Sequence, residues 1–357
     1  MYAEKHFRVI KAKISRIGAD ALYLADERSL RYLIGFYFSG MVLLVPRKGK
    51  PICLIDTMNH ALAEDLMREI KSDILLVPGT VRNGLKKYVK ESGIKIIAYS
   101  DEYVSVSAYN SLKRIIPGIK FVSSQGGVPV PGILADMRKI KSEQEIDIIR
   151  KAAKITTGIW RKVRREIRTG MTEKQIAVVV DVLIRQAGCV NSFPTIAAIA
   201  ENTAYPHAIP TSRRLKENEH VLVDFGVRYK GYCSDLTRVY LNGRIDRQIR
   251  GLIDHVHKAH DEAIGMVKNG TCIGMLGSMV NKRFLDADLG GNILHGLGHG
   301  IGIEVHERPF LRVGSREKLK KGMVITIEPG LYVEGLGGIR EEDMILVTDK
   351  GCEVLTV

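Results

Sequence analysis

Residues His220–Leu241 read HVLVDFGVRYKGYCSDLTRVYL. Strand-forming apolar residues fill His220–Val227 and again Tyr232–Leu241, and the short break between them predicts two paired strands. Two helices precede this hairpin. Ser142-Glu143-Gln144-Glu145 is a capping box, followed at helical spacing by Ile149, Ala152, Ala153, Thr156, Trp160, Val163 and Ile167. A second box, Thr172-Glu173-Lys174-Gln175, opens a helix that puts Ile176, Val179, Val180, Leu183 and Ala187 on one face. The same order then returns. Helices are expected near Asp246–Lys268 and Thr271–Phe284, and strands near Met323–Val333 and Ile339–Val347. A helix-helix-hairpin unit duplicated at a period of about a hundred residues therefore decides the fold of this half of the chain.

The hairpins carry the chemistry. With the first turn centred between Tyr229 and Lys230, Asp224 and Asp235 are directly opposed, their Cβ atoms ~4.5 to 5.5 Å apart. Centring the second turn on Gly335 opposes Glu328 and Glu342 by the same arithmetic. Four converging carboxylates repel one another and raise their own pKa values unless a cation compensates them. The segment His295–His306, HGLGHGIGIEVH, adds histidines beside glycines that let backbone approach closely. One histidine with four carboxylates suits two divalent ions of hard or borderline character: manganese, cobalt, iron or zinc. A single Asp in a hairpin is usually a turn or surface residue, so Asp224 draws its significance from the constellation.

Upstream lies a second domain. Short apolar runs at Ala21–Ala25, Met41–Val45, Ile52–Ile55, Ile74–Val77 and Ile94–Tyr99 alternate with helical patterns near Asn59–Ile70 and Arg82–Glu91, which predicts a modest α/β sheet. Clustered Ser, Gly and Pro over Ser123–Gly132 mark the boundary. The expected organisation is an α/β domain over 1–125, a linker over 126–137 and the duplicated domain over 138–357. A length of 357 residues, at roughly 100 to 200 per domain, agrees with two domains.

Composition excludes several classes. The hydrophobic fraction is 45%, charged residues are 26%, and no run approaches the ~18 apolar residues a membrane span needs. No secretory signal is visible at the N-terminus, and five scattered cysteines without a CxxC pair fit neither a disulfide framework nor a thiolate zinc site. A cytoplasmic location is expected. The net charge of +14 does not make a nucleic-acid site, because the densest basic run, Arg161-Lys162-Val163-Arg164-Arg165, reads as the polar face of a helix without interleaved aromatics. His255, His257 and His260 read as solvated residues of a polar helix face. His295 and His299 share the i, i+4 spacing of helical zinc sites, but the glycines disfavour a helix and the Glu of HExxH is missing. GxSxG, GxxxxGK[ST] and GxGxxG are absent, which removes the simplest serine-hydrolase, nucleotide and dinucleotide readings.

Five motifs in order resemble one family: Val223-Asp224-Phe225-Gly226, Ser234-Asp235-Leu236-Thr237-Arg238, His295–His306, Thr326-Ile327-Glu328-Pro329-Gly330 and Gly338-Ile339-Arg340-Glu341-Glu342-Asp343. They look like the Xaa-Pro dipeptidase and Xaa-Pro aminopeptidase branch of the pita-bread metallopeptidases. Arg138–Ile146 resembles that branch's approach to its first helix, and Tyr32-Leu33-Ile34-Gly35-Phe36 resembles a motif of its creatinase-like N-terminal domain. The resemblance implies cleavage of the peptide bond before proline in short peptides by two divalent metal ions per subunit, Mn²⁺ or Co²⁺ ahead of Zn²⁺ or Fe²⁺, in a homodimer. It implies Asp224, Asp235, His299, Glu328 and Glu342 as metal ligands. It further implies that His207 contacts substrate, His295 lines the proline pocket, His306 steadies the tetrahedral intermediate and Glu328 shuttles the proton.

Two positions depart from the family pattern. Glu341 stands where an apolar residue is usual, and since neighbouring strand residues face opposite ways, only one of Glu341 and Glu342 can face the metals. Glu342 is chosen because it opposes Glu328. The run His306-Glu307-Arg308-Pro309-Phe310-Leu311-Arg312 places Phe310 where dipeptidases of the branch often carry the arginine that binds the dipeptide's carboxylate. Either Arg308 or Arg312 replaces it, or longer peptides are the substrates of an aminopeptidase. Methionine aminopeptidases share the five ligands but generally lack a large N-terminal domain, whereas creatinase-type hydrolases and binding proteins of this fold typically lack ligands retained here.

Overall fold

A computed structural model describes residues 2–70, 74–123 and 130–357. The chain divides into two compact units, Met1–Met137 and Arg138–Val357. The first contains α1 (Tyr2–Arg16), β1 (Ala21–Leu24), α2 (Glu27–Ile34), β2 (Val42–Pro46), β3 (Ile52–Ile55), α3 (His60–Ile70), β4 (Leu75–Pro78), α4 (Val81–Ser92), β5 (Ile96–Tyr99), α5 (Val106–Ile115) and β6 (Lys120–Val122). Its six-stranded sheet runs β4-β3-β2-β1-β5-β6, with β1–β2 and β2–β3 antiparallel and β1–β5, β3–β4 and β5–β6 parallel. The residues of β1, β2 and β3 are all buried, which is why they read as continuous apolar runs rather than alternating ones.

Helices α1, α2 and α5 and strand β6 were not anticipated. In α1 the charged residues obscure a narrow stripe of Phe7, Ile10 and Ile14, all buried. The Tyr32–Phe36 motif closes α2, which Asp26 caps by accepting from the Ser29 N–H at 2.9 Å and which ends on Gly35 at φ 80°. Of the expected linker, residues 126–129 lie outside the described residues, as do 124 and 125 of the boundary cluster. The remainder, 130–137, lies within helix α6 (Val130–Lys139).

The second unit begins with α7 (Glu143–Glu166) and α8 (Glu173–Gln186), then β7 (Val190–Asn191), β8 (Ile196–Ile199), β9 (Glu219–Phe225), β10 (Val227–Tyr229), β11 (Tyr232–Cys233) and β12 (Leu236–Asn242). It continues through α9 (Arg247–Met266), α10 (Ile273–Asp286), β13 (Gly298–Gly300), β14 (Glu307–Leu311), β15 (Val324–Ile327), β16 (Gly330–Val333), β17 (Gly337–Arg340), β18 (Asp343–Val347) and β19 (Cys352–Val354). Both capping boxes are formed: Glu145 N–H donates to Ser142 Oγ, and Ser142 N–H to Glu145 Oε2 at 2.9 Å, with the same reciprocal pair at Thr172 and Gln175. Ser142→Ala should destabilise this unit by about 1 kcal/mol. Urea unfolding checks it: the midpoint should fall while the denaturant slope stays unchanged.

The duplication goes further than the helices and hairpins. Strands β12-β9-β8 and β18-β15-β13 follow the same order in their sheets. Thr172, which caps α8, bridges Arg214, and Cys272, at the same place before α10, bridges Lys318. Even single hydrogen bonds recur, since Gly170 N–H donates to Leu215 O and Gly270 N–H to Leu319 O, each at 2.8 Å. Each half has its own core, around Val180 and Val223 in the first and around Leu276 and Ile325 in the second.

The first hairpin differs from expectation. Its central residues are Lys230 and Gly231, at φ 47° and 86°, the signs of a type I′ turn whose twist matches the strands. The register accordingly moves by two residues, and Asp224 lies opposite Thr237 rather than Asp235. Asp235 becomes a diagonal neighbour on the same face. The second hairpin keeps the expected register: Gly330 pairs Arg340 and Ile327 pairs Asp343, so Glu328 and Glu342 face each other in the gap between two ladders. The long strands expected here are each broken at the acidic residue.

His260 is a further correction. It is buried, not solvated, with Nε2 3.2 Å from Asp343 Oδ2, because it shares the inner face of α9 with Val256, Ala259 and Ala263. Arg161, Lys162, Arg164 and Arg165 do lie on the exposed face of α7, and all five cysteines are free thiols. Among the described residues, no helix is long and apolar enough to cross a membrane.

Candidate metal centre

Asp224, Asp235, His299, Glu328 and Glu342 all line one cavity of about 610 Å³, together with His207, His295 and His306. Each of the five sits where a ladder ends or breaks. Asp224 is near the end of β9, Asp235 falls between β11 and β12, His299 lies at the irregularity of β13, Glu328 separates β15 from β16, and Glu342 separates β17 from β18. The break before Asp235 depends on Gly226, where an added Cβ would collide with the Ser234 carbonyl. The strands can approach this closely only without a side chain there.

Oxygen and nitrogen lone pairs face one another across the cavity floor. His299 Nδ1 lies 3.1 Å from its acceptor, Gly300 O, so Nδ1 carries the proton and Nε2 presents its lone pair. Yet Nε2 stands 3.3 Å from Glu328 Oε1 and 3.8 Å from Asp235 Oδ2, both acceptors. Burial pushes the imidazolium pKa of His299 down to about 4, so protonation does not relieve the clash of lone pairs at neutral pH. Burial first, and then neighbouring carboxylates, hold Asp235 and Glu342 well above the usual carboxylate range, and burial likewise raises Glu328. Asp224 Oδ1, Asp235 Oδ1 and Glu342 Oε1 are buried with no hydrogen-bond partner. Asp235, His299 and Glu342 bring one ligand atom each within 4.8 Å of one another. Buried acceptors without donors are costly unless a cation occupies the space between them, so this donor set fits divalent metal.

Arg340 organises the other side of the floor. Its Nη2 donates to Asp224 Oδ2 at 2.6 Å, its Nη1 to Tyr332 OH at 2.7 Å and its Nε to Thr237 Oγ1 at 3.0 Å. Thr237 Oγ1 donates to Glu342 Oε2 at 2.7 Å, and Tyr332 OH lies 2.7 Å from His295 Nε2. The guanidinium thus fixes Asp224, Glu342 and His295 through direct or single-hydroxyl contacts. The sequence reading gave Arg340, Tyr332 and Thr237 no role. Two-residue alternation from Glu342 would have put Arg340 on the same face, and the true register of the first hairpin would have placed Thr237 opposite Asp224.

Glu342 faces this floor, while Glu341 turns away and pairs with Arg238 Nε at 3.3 Å and His257 Nε2 at 3.5 Å. His207 and His306 stand at the exposed rim, the His306 ring 4.3 Å from that of His299 and nearly perpendicular to it. His295 and His299 are not on a helix.

Residues 147–349 match metallopeptidase family M24, and residues 8–140 match the creatinase/prolidase N-terminal domain. An uncharacterized peptidase of Staphylococcus aureus is 38% identical over 346 residues, covering 95% of each chain. Among solved structures, an Xaa-Pro dipeptidase from Bacillus anthracis superposes with a TM-score of 0.92 at 29% identity, covering 99% of this chain and 97% of that one. The prolidase of Pyrococcus horikoshii gives 0.91 at 28% identity, with 99% and 98% covered. An X-Pro aminopeptidase from Thermotoga maritima gives 0.87 at 29% identity, with 97% of both chains covered. The chain belongs to metallopeptidase family M24. Its catalytic-type unit has the pita-bread fold, preceded by a domain of the creatinase/prolidase N-terminal type.

Proposed function

We propose that the protein is an Xaa-Pro dipeptidase that hydrolyses the peptide bond before proline with two divalent ions held by Asp224, Asp235, His299, Glu328 and Glu342. The observation that carries this is the meeting of buried, partnerless carboxylate oxygens and the His299 Nε2 lone pair on one cavity floor. When bound, the ions supply Lewis acidity to a water and to the scissile carbonyl. The chain's own groups do the rest.

Glu328 is the most accessible of the floor residues, with 16% of its side chain exposed against 11% for Asp224 and 5% for Asp235. That access suits a group that takes a proton from the attacking water and passes it to the leaving imide nitrogen. His306 at the rim stabilises charge developing on the carbonyl oxygen, and His207 orients the substrate backbone. His295, fixed by Tyr332, forms a wall for the proline ring. Cleavage of Xaa-Pro with release of free proline by the metal-loaded protein tests the reading. Equal turnover of Xaa-Ala would contradict it.

Arg312 is the proposed anchor for the dipeptide's carboxylate. It lines the cavity with its guanidinium 5.1 Å from the centre of the Phe310 ring, whereas Arg308 is not among the residues that line it. A charge-assisted pair is worth about 1.5 to 3 kcal/mol, so Arg312→Ala should lower kcat/KM for Xaa-Pro by roughly 10- to 150-fold and change Xaa-Pro-Xaa far less. Phe310 at the expected arginine position favours the second reading, an aminopeptidase. A strong wild-type preference for the tripeptide would establish it.

A further inference from the structure

The Arg138-Lys139-Ile140-Lys141 segment stands apart from the metal centre, yet two of its cations reach the loop that carries His306. Lys141 Nζ lies 2.7 Å from Glu307 Oε1, and these side chains are only 1% and 2% exposed. Arg138 Nη2 donates to Glu304 Oε2 at 2.6 Å, and its Nε is 3.6 Å from Glu307 Oε2. Glu304, in the connection from β13 to β14, and Glu307, the first residue of β14, bracket His306. The cations are themselves held firmly, because Lys141 N–H donates to Gly322 O at 2.8 Å and the next residue, Ser142, caps α7. The loop is shaped around the carboxylate: a Cβ on Gly302 would lie 2.6 Å from Glu307 Oε1.

Glu307 is buried and His306 exposed, so the two neighbours point to opposite sides of the backbone. Drawing Glu307 inward onto Lys141 therefore presents His306 outward at the cavity rim. A buried ion pair that loses one partner leaves a charge in need of water, and the backbone bearing it has to move.

We propose that Lys141 and Arg138 are positioning residues that set the placement of His306 through Glu307 and Glu304. This rests on the catalytic part given above to His306. Misplacement of a reacting group by about 1 Å can cost as much as 100-fold in rate. Lys141→Met should accordingly lower kcat for Xaa-Pro by about tenfold or more with little change in KM, whereas Lys141→Arg, which keeps the charge, should retain most of the rate.

The test is a double-mutant cycle with His306→Ala, accompanied by hydrogen exchange over residues 300–308 in the same proteins. Lys141→Met should accelerate exchange in that segment while the α9 and α10 core stays protected, and in the His306→Ala background it should reduce kcat no further. Equal losses in both backgrounds, or unchanged exchange at 300–308, would overturn the positioning role. Wild-type kcat in His306→Ala would instead remove the catalytic part of His306, and the positioning role with it. The exchange result reports on the Lys141 pinning even if proline peptides are not cleaved. Should Lys141→Met fail to fold, Glu307→Gln carries the same comparison.

Discussion

Glu342→Gln is expected to remove most of the activity and to weaken the occupancy of at least one metal, while Glu341→Gln leaves both largely intact. The two residues are adjacent and chemically identical, so their surroundings alone separate them. Glu342 is buried, shares the cavity floor with Asp235 and His299, and has one oxygen fixed by Thr237 and the other without a partner. Its loss should exceed the roughly 10- to 100-fold effect typical of an outer partner of a metal ligand. Glu341 pairs with Arg238 and with His257, whose side chain is half exposed, and Arg238 keeps Asp343 when that pair is broken. Glu341 does not line the cavity, so Glu341→Gln should cost less than about fivefold in kcat/KM. Metal content by mass spectrometry and turnover of an Xaa-Pro peptide decide the ranking. The reverse order would show that β17 and β18 present the wrong glutamate to the floor.

Chelation is expected to abolish activity, and Mn²⁺ or Co²⁺ to restore it. Four carboxylates and one imidazole suit such ions, and the cavity leaves the floor accessible to exchange with a chelator. Stability should follow the same course. In the metal-free chain, burial and mutual repulsion disfavour ionised Asp235 and Glu342, opposed by the Arg340 charge and, at Glu342, by the Thr237 hydroxyl. Metal bound to the folded state alone stabilises it by about 2.7 kcal/mol at a hundredfold excess over its Kd, so Tm should rise with Mn²⁺ concentration. A Tm indifferent to Mn²⁺ in a chelated preparation would show that these residues do not bind the ion.

The parts of the fold most legible in the sequence were those with redundant local signals. The capping boxes at Ser142 and Thr172 each combine a hydroxyl, a Glu or Gln three residues on and an apolar stripe, and both helices begin where those signals place them. The second hairpin was read in its true register because Gly335, taken as its centre, does centre the turn. The first was not, since Lys-Gly is a less familiar type I′ pair than Asn-Gly, and the resulting shift by two hid the partnership of Thr237 with Asp224. A shift by an even number preserves the face, which is why both aspartates still reach the cavity. Arg340 went unassigned because a buried guanidinium acquires its meaning from partners distant in sequence, here Asp224 and Thr237 from the other half. His260 was misjudged for a similar reason: its helix stripe is legible, but the Asp343 it meets lies beyond the reach of any local pattern.

Ion binding by the five floor residues and cleavage before proline stand or fall together. One titration tests this most directly: metal-free protein receives Mn²⁺ while bound metal per chain and free proline released from an Xaa-Pro dipeptide are followed together. No proline should appear before metal is added, and the rate should rise to a plateau at two ions per chain. Full release of proline with no metal bound, or saturation of the site without cleavage before proline, would contradict this.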